Sequence, residues 1–326
     1  MKKNEATIKS FTRRNFVQSS AKVIVGAALL PTILPFCTNQ KGANGRIKVG
    51  CFALINPFSP LENQLDQIKK WGFSCGDLTD NSDGACLGVE YGFTALASLD
   101  SNPFDIKRMF ETRQLALSSI CAHANLLDPT APSRYGTAQI IKAVKMAGAI
   151  GVKHVITAEG EPKTSFGKSL TINEAIFSIA EKLYEPLKFA EDFGVKILIE
   201  PHGHISDSVE LMGAVLDKCN SKALAINLDT GNLWLGGGEP LEMIEKFGSR
   251  IEHVHWKDLP KEMIEKRGKL FGCGMSLTAL GDGVIDIKSI FNALVKAGFN
   301  GYTTLEIAGE EAVLKSFDYL KKLGAV

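Results

Sequence analysis

The chain has 326 residues, of which 45% are hydrophobic and 22% charged, a balance that allows a large core and excludes the low-hydrophobicity signature of disorder. Its 37 Lys and Arg against 36 Asp and Glu leave a formal charge of +1, which excludes a general electrostatic attraction to nucleic acid or to anionic membranes.

The N-terminus reads differently from the rest. Thr12-Arg13-Arg14-Asn15-Phe16-Val17-Gln18 precedes a small, apolar run from Val23 to Leu30, then Pro31 and Pro35. Paired arginines, a following Phe and a short apolar stretch together form the pattern of a twin-arginine export signal. Residues 1–37 are therefore expected to be an export signal that is removed, leaving a periplasmic or lipid-anchored protein at the cell envelope. The run falls short of the roughly 20 apolar residues that span a bilayer, so no transmembrane helix is expected. Leu34-Pro35-Phe36-Cys37 partly resembles a lipoprotein cleavage box, which makes Cys37 a candidate for lipid attachment, although Phe36 is bulky where a small residue normally precedes the cysteine. Twin-arginine export carries folded proteins, so a metal can be inserted before the chain leaves the cytoplasm.

The seven cysteines are too few and too scattered for a disulfide framework in a chain of this length. Cys51, Cys75 and Cys121 fall in or beside apolar runs, where a thiol packs as a small hydrophobe.

From Arg46 onward, strand-like runs alternate with amphipathic segments of helical length. The predicted strands are 47–53, 73–78, 116–123, 152–157, 195–200, 223–229, 251–257 and 302–307. Between them lie helical patterns such as 60–71, 133–149, 172–193, 207–219, 241–247 and 287–297. Several helices close on a Gly before the next strand, as in Trp71-Gly72-Phe73 and Phe193-Gly194-Val195, where glycine adopts the left-handed conformation without a side-chain penalty. Eight such units predict parallel pairing through crossovers and a single-domain (β/α)8 TIM barrel over residues 46–326. A doubly wound open sheet is the competing architecture.

In such a barrel, active sites gather at the C-terminal ends of the strands. Strand five ends in Glu200 of ILIEPHGH, strand six in Asp229 of NLDTGN, strand seven in His255 of HVHWKD and strand eight in Glu306 of TTLEI. Side chains alternate along a strand, so Asn227 shares a face with Asp229, His253 and Lys257 with His255, and Thr304 with Glu306, while Leu228, Val254, Trp256 and Leu305 face the outer helices. Alone, each strand-end acid reads as a helix cap and the His as a core residue. Together they present three carboxylates and one imidazole at one level, and burying those carboxylates calls for a countercharge that a divalent cation supplies. Oxygen-rich ligation without a thiolate favours Mn²⁺ first, then Mg²⁺ or Co²⁺, over structural zinc; Zn²⁺ stays compatible.

IEPHG, NLDTGN, HVHWKD and the closing ALGDGVIDIKSIFNALVKAGFNGYTTLEI resemble the xylose isomerase-like barrels grouped as sugar phosphate isomerases/epimerases, a family that also includes inosose dehydratases and endonuclease IV. The likeness runs from about Ile47 to the end and is strongest after Val195. It implies that Glu200, Asp229, His255 and Glu306 hold one metal. It also implies that Glu200 and Glu306 act as acid and base on a small carbohydrate, moving a proton beside a carbonyl through an enediolate. Candidate substrate contacts are His123 of CAHANLLDP, with Asn125 beside it, His202, Asn232, Trp234 and Lys257. The alternative role of Lys257 is an ion pair with Asp258.

Ketose 3-epimerases of this family typically carry a histidine where this chain has Asn232, an arginine where it has Lys261 and a glutamate where it has Ser206. A free ketohexose is therefore a poor fit, and the expectation extends to lyases and dehydratases acting on a keto sugar, a keto-glycoside or an inosose by the same proton abstraction. A phosphodiesterase resembling endonuclease IV would need more histidines than the six present, and a non-catalytic carbohydrate-binding barrel would not need both glutamates. Nothing in the pattern indicates an oligomeric state. Gly167-Lys168-Ser169 lacks the upstream glycine of a phosphate loop, and Gly236-Gly237-Gly238 reads as a rim turn.

Overall fold

A computed structural model describes residues 47–79, 94–95, 97–122, 124, 126–127, 137–160 and 165–326. The export segment 1–37 with Cys37, and the candidate contacts His123 and Asn125, lie outside the described residues.

Eight strands run in parallel and close on themselves in chain order: β1 (Lys48–Phe52), β2 (Cys75–Thr79), β3 (Ala116–Cys121), β4 (His154–Ala158), β5 (Lys196–Glu200), β6 (Leu224–Asp229), β7 (Ile251–Trp256) and β8 (Tyr302–Leu305). β1 pairs with both β2 and β8. That closure excludes the open doubly wound sheet. Every predicted strand is present, and most are a residue or two shorter than the apolar run. Phe73, Val152 and Val195 are buried without belonging to a strand.

The outer layer comprises α1 (Leu61–Lys70), α2 (Pro103–Glu111), α3 (Thr137–Ile150), α4 (Ser165–Ser169), α5 (Ile172–Phe193), α6 (Val209–Cys219), α7 (Thr230–Leu235), α8 (Pro240–Phe247), α9 (Ile287–Lys296) and α10 (Glu310–Leu323). The longest, α5, shows how local sequence sets the ends of an element. Thr171 and Glu174 form a reciprocal capping box at its start, and Gly194 closes it with φ of 64°. The sequence pattern names no helix at α2 or α10. In α10 the buried Val313, Ser316, Phe317 and Leu320 form a stripe at helical spacing, interrupted in sequence by a serine that hides its polarity by donating to the Ala312 carbonyl.

The main core lies between barrel and helices. Trp256 belongs to it, fully buried and stacked on Phe291 of α9 at 6.3 Å between ring centroids, as its outward parity on β7 requires. A smaller apolar cluster gathers Phe52, Cys121, Ile156, Leu198 and Ala225. Leu198 shares parity with Glu200, and Ala225 with Asp229, so this cluster lies inside the barrel. The rest of that interior is polar: Asp77, Asn227, Asp229, His253, His255 and Thr304 are all buried. Among the described residues, no helix is long and apolar enough to cross a membrane.

Candidate metal centre

Glu200 and Asp229 are the last residues of β5 and β6, His255 is the penultimate residue of β7, and Glu306 directly follows β8. One ligand atom from each lies within 4.8 Å of the others. His255 Nδ1 is 3.1 Å from Glu200 Oε2, 3.1 Å from Glu306 Oε2 and 3.9 Å from Asp229 Oδ2. The strand register explains the convergence, because Asp229 sits directly beside His255 across the β6–β7 ladder.

The residues fit a cation. Asp229 Oδ2, His255 Nδ1 and Glu306 Oε2 are buried and have no hydrogen-bond partner, although buried polar atoms are nearly always paired. Lys257 Nζ lies 2.9 Å from both Asp229 Oδ2 and Glu306 Oε2, yet its hydrogen bonds go to the Cys273 carbonyl and to Asn232 Oδ1. The carboxylates respond differently to burial, which Lys257 and His255 outweigh at Glu306, holding that carboxyl below its ordinary range. Burial pushes the Asp229 carboxyl up to about 8 despite the neighbouring Lys257. Burial opposes charge on His255 as well, but Glu200 and Asp77 outweigh it and hold the imidazole well above its ordinary range. A dication at the shared focus would favour the ionised Asp229 and the neutral His255.

Several side chains fix the arrangement. Asn227 Nδ2 donates to Glu200 Oε2 at 2.9 Å, and Asn232 Nδ2 to Glu200 Oε1 at 3.0 Å. Asp229 is divided between two tasks, since its Oδ1 accepts the Asn232 N–H at 2.7 Å and caps α7 while its Oδ2 faces the focus. The glycine of NLDTGN is required by close approach: a Cβ on Gly231 would stand 2.6 Å from Lys257 Cβ.

The expected substrate contacts are distributed unevenly. Lys257 joins the four ligands, and the ion pair with Asp258 is absent. Asp258 instead accepts the backbone N–H groups of Leu259, Gly281, Gly283 and Ile285. Asn232 is fully buried, with its amide oxygen accepting the Cys273 N–H and its nitrogen held by Glu200, so it orients Glu200 and is not free for a sugar. Trp234 is half-buried under the Arg267 guanidinium, 4.9 Å from its ring. His202 packs against Gly272, where a Cβ would meet its ring at 2.4 Å. Asp77 was missed altogether. It lies at the middle of β2, accepts from Ser118, Thr304 and His255, and could have been found from parity, since GDLT alternates like the other interior-facing strands.

A family model described as a xylose isomerase-like TIM barrel matches residues 65–323. The inosose dehydratase of Clostridium perfringens is 28% identical over 232 residues, covering 67% of this chain and 77% of that enzyme; that of Bacillus cereus is 26% identical over 238 residues, covering 68% and 78%. Among solved structures, the Escherichia coli 3-keto-D-glucoside 4-epimerase superposes with a TM-score of 0.65 at 16% identity, covering 85% of this chain and all of that one. The IOLI protein with a bound zinc atom superposes with a TM-score of 0.66 at 18% identity, covering 85% and 98%. At such identities the structural likeness shows the fold alone, but the family model spans most of the barrel. The chain belongs to the xylose isomerase-like TIM barrel family.

Proposed function

We propose that this barrel is a divalent-cation-dependent enzyme that removes a proton beside the carbonyl of a keto sugar, keto-glycoside or inosose. Glu200, Asp229, His255 and Glu306 would hold the ion, which when bound supplies Lewis acidity to the carbonyl and its neighbouring hydroxyl. The observation that carries this reading is the convergence of ligand atoms from Glu200, Asp229, His255 and Glu306 within 4.8 Å of one another, with no hydrogen bond on Asp229 Oδ2, His255 Nδ1 or Glu306 Oε2.

The two glutamates differ in a way that assigns their work. Both oxygens of Glu200 accept amide hydrogens, from Asn227 and Asn232, which suits a fixed ligand and weakens a base. Glu306 Oε2 accepts no hydrogen bond and its side chain is the most exposed of the four, at 13%. Glu306 is therefore the proton acceptor, and Lys257, 2.9 Å from it, offsets the charge that develops on the substrate oxygen. In a dehydration the proton taken by Glu306 returns to the departing β-hydroxyl, which leaves as water. In an epimerisation Glu200 would start protonated and give that proton to the other face, and exchange with solvent would then clear the proton held by Glu306 and restore the one on Glu200. The one-base asymmetry and the similarity to inosose dehydratases favour dehydration; the epimerase, the first expectation from the sequence, is the second reading.

The test is a panel of inososes, 3-keto-glucosides and keto sugars in deuterated water with Mn²⁺, scored for solvent deuterium at the carbon beside the carbonyl and for loss of water. Glu306→Gln should abolish both, and failure of the wild type to exchange any substrate sinks the proposal. Export of residues 1–37 and lipidation at Cys37 extend the proposal to the cell envelope; fractionation of a tagged chain and of its Arg13→Lys, Arg14→Lys variant tests that part.

A further inference from the structure

Resting on the metal-binding reading above, we infer that Asp77 is a positioning residue that makes His255 a ligand, by accepting its Nε2 hydrogen and thereby turning a bare Nδ1 toward the cation.

The proton positions follow from the order of contacts around the barrel interior. A carboxylate only accepts, so the Asn227 nitrogen must face Glu200 Oε2, and its oxygen then faces His253 Nδ1 at 3.0 Å. That nitrogen therefore carries the His253 proton. His253 Nε2 is left bare and without a hydrogen bond, 3.5 Å from Asp77 Oδ1, beyond the usual N–H···O range. The His253 contact is the longer of the two imidazole contacts of Asp77, at 3.5 Å against 3.2 Å for His255 Nε2. Its Oδ1 accepts the Ser118 hydroxyl, and its Oδ2 accepts the Thr304 hydroxyl together with His255 Nε2, 3.2 Å away. An imidazole that ligates a metal is neutral and has one N–H. With it committed to Asp77, Nδ1 presents a lone pair to two further acceptors, Glu200 Oε2 and Glu306 Oε2, each at 3.1 Å. Three acceptors facing one another are held together by a cation.

The contacts close a ring: Glu200, Asn227, His253, Asp77 and His255 each touch the next, and both ends of the series meet at the cation site. Such carboxylate–histidine–metal arrangements fix both the tautomer and the ring orientation, and their loss costs about 10–100-fold in metal affinity or activity. Every member is buried, so the geometry is held by the barrel and not by solvent.

The test uses the whole protein with Mn²⁺ or Zn²⁺ alone as probe. In calorimetric titration Asp77→Asn should bind Mn²⁺ about 10–100-fold more weakly than wild type, with turnover recovering as Mn²⁺ is raised. Ser118→Ala, which removes a hydroxyl from Asp77 without touching the His255 contact, should retain affinity near the wild-type value. Should Asp77→Asn fail to fold, ¹⁵N NMR of the Zn²⁺-loaded wild type still decides the matter, with the His255 proton expected on Nε2 and the metal on Nδ1. Wild-type Mn²⁺ affinity in Asp77→Asn, or metal on Nε2, overturns this inference alone. Absence of Mn²⁺ and Zn²⁺ binding by the wild type overturns the functional reading and this inference with it.

Discussion

Lys257 Nζ stands 2.9 Å from Glu306 Oε2, so the proposed base and a buried permanent cation touch before any substrate arrives. Burial opposes charge on this lysine, but Asp229 and Glu306 outweigh it and hold the ammonium well above its ordinary range. It cannot serve as a neutral base, and its use is to face negative charge. Lys257→Met is expected to lower kcat/KM by roughly 100-fold or more, the typical effect of removing one oxyanion-stabilising group. Mn²⁺ affinity should hold or rise, because a like charge leaves the ligand cluster. Steady-state kinetics beside calorimetry checks this, and a variant that lost affinity and activity together would make Lys257 part of the ion cage instead.

Asp229 separates two functions atom by atom. Its Oδ1 caps α7 through the Asn232 N–H, and its Oδ2 faces the cation site without a hydrogen-bond partner. Asp229→Asn keeps an oxygen for the cap but removes the charge, so Mn²⁺ binding should fall by tenfold or more while the urea midpoint measured without metal stays level or rises. Asp229→Ala removes the cap as well and should add about 1 kcal/mol of destabilisation. Equal stability of the two variants would show that the cap contributes nothing.

The alternation of eight apolar runs with amphipathic segments made the barrel legible, and the rule that chemistry sits at strand ends made Glu200, Asp229, His255 and Glu306 legible with it. Parity along a strand correctly separated inward His253 and His255 from outward Trp256, which stacks on Phe291. Partner choice was not legible. Lys257 reads equally well beside its chain neighbour Asp258 or across the barrel, and only the loop at 281–285, which saturates the Asp258 carboxylate, decides it. Asp77 escaped for a related reason: its meaning comes from His255, 178 positions away in sequence.

That Asp258 carboxylate is a structural keystone distinct from the chemistry. It is fully buried and accepts four backbone N–H groups, from Leu259, Gly281, Gly283 and Ile285. The GDG turn packs so closely onto it that a Cβ on Gly283 would stand 2.2 Å from Asp258 Oδ1. Asp258→Ala would strand those donors, each costing about 1–3 kcal/mol when buried and unpaired, with water entering to relieve some of them. The expected loss in chemical denaturation is roughly 3–5 kcal/mol, with Mn²⁺ affinity of the folded fraction retained. A loss below about 1 kcal/mol would mean that the turn satisfies its own N–H groups.

At the opposite face of the barrel, Glu252 near the start of β7 meets His154 at the start of β4, with Nε2 to Oε2 at 3.2 Å, and Lys196 at the start of β5. Burial would raise this carboxyl, but the hydrogen bonds from His154 and Lys196 and the Lys196 charge outweigh it and hold its pKa at about 2. The sign of the linkage follows. A carboxyl depressed in the folded state contributes stability that is fully present above its unfolded pKa of about 4.3 and is lost as pH falls toward its folded value. Lys196 is 41% exposed, so solvent screening limits the contribution to on the order of 1 kcal/mol. Glu252→Gln should therefore lower the thermal midpoint relative to wild type at pH 7, and the gap should narrow steadily between pH 5 and pH 3. Turnover should not change, because Glu252 lies at the N-terminal ends of the barrel strands while chemistry occupies the other end. A gap that stayed constant across that pH range would trace the effect of Glu252 to packing rather than to its charge.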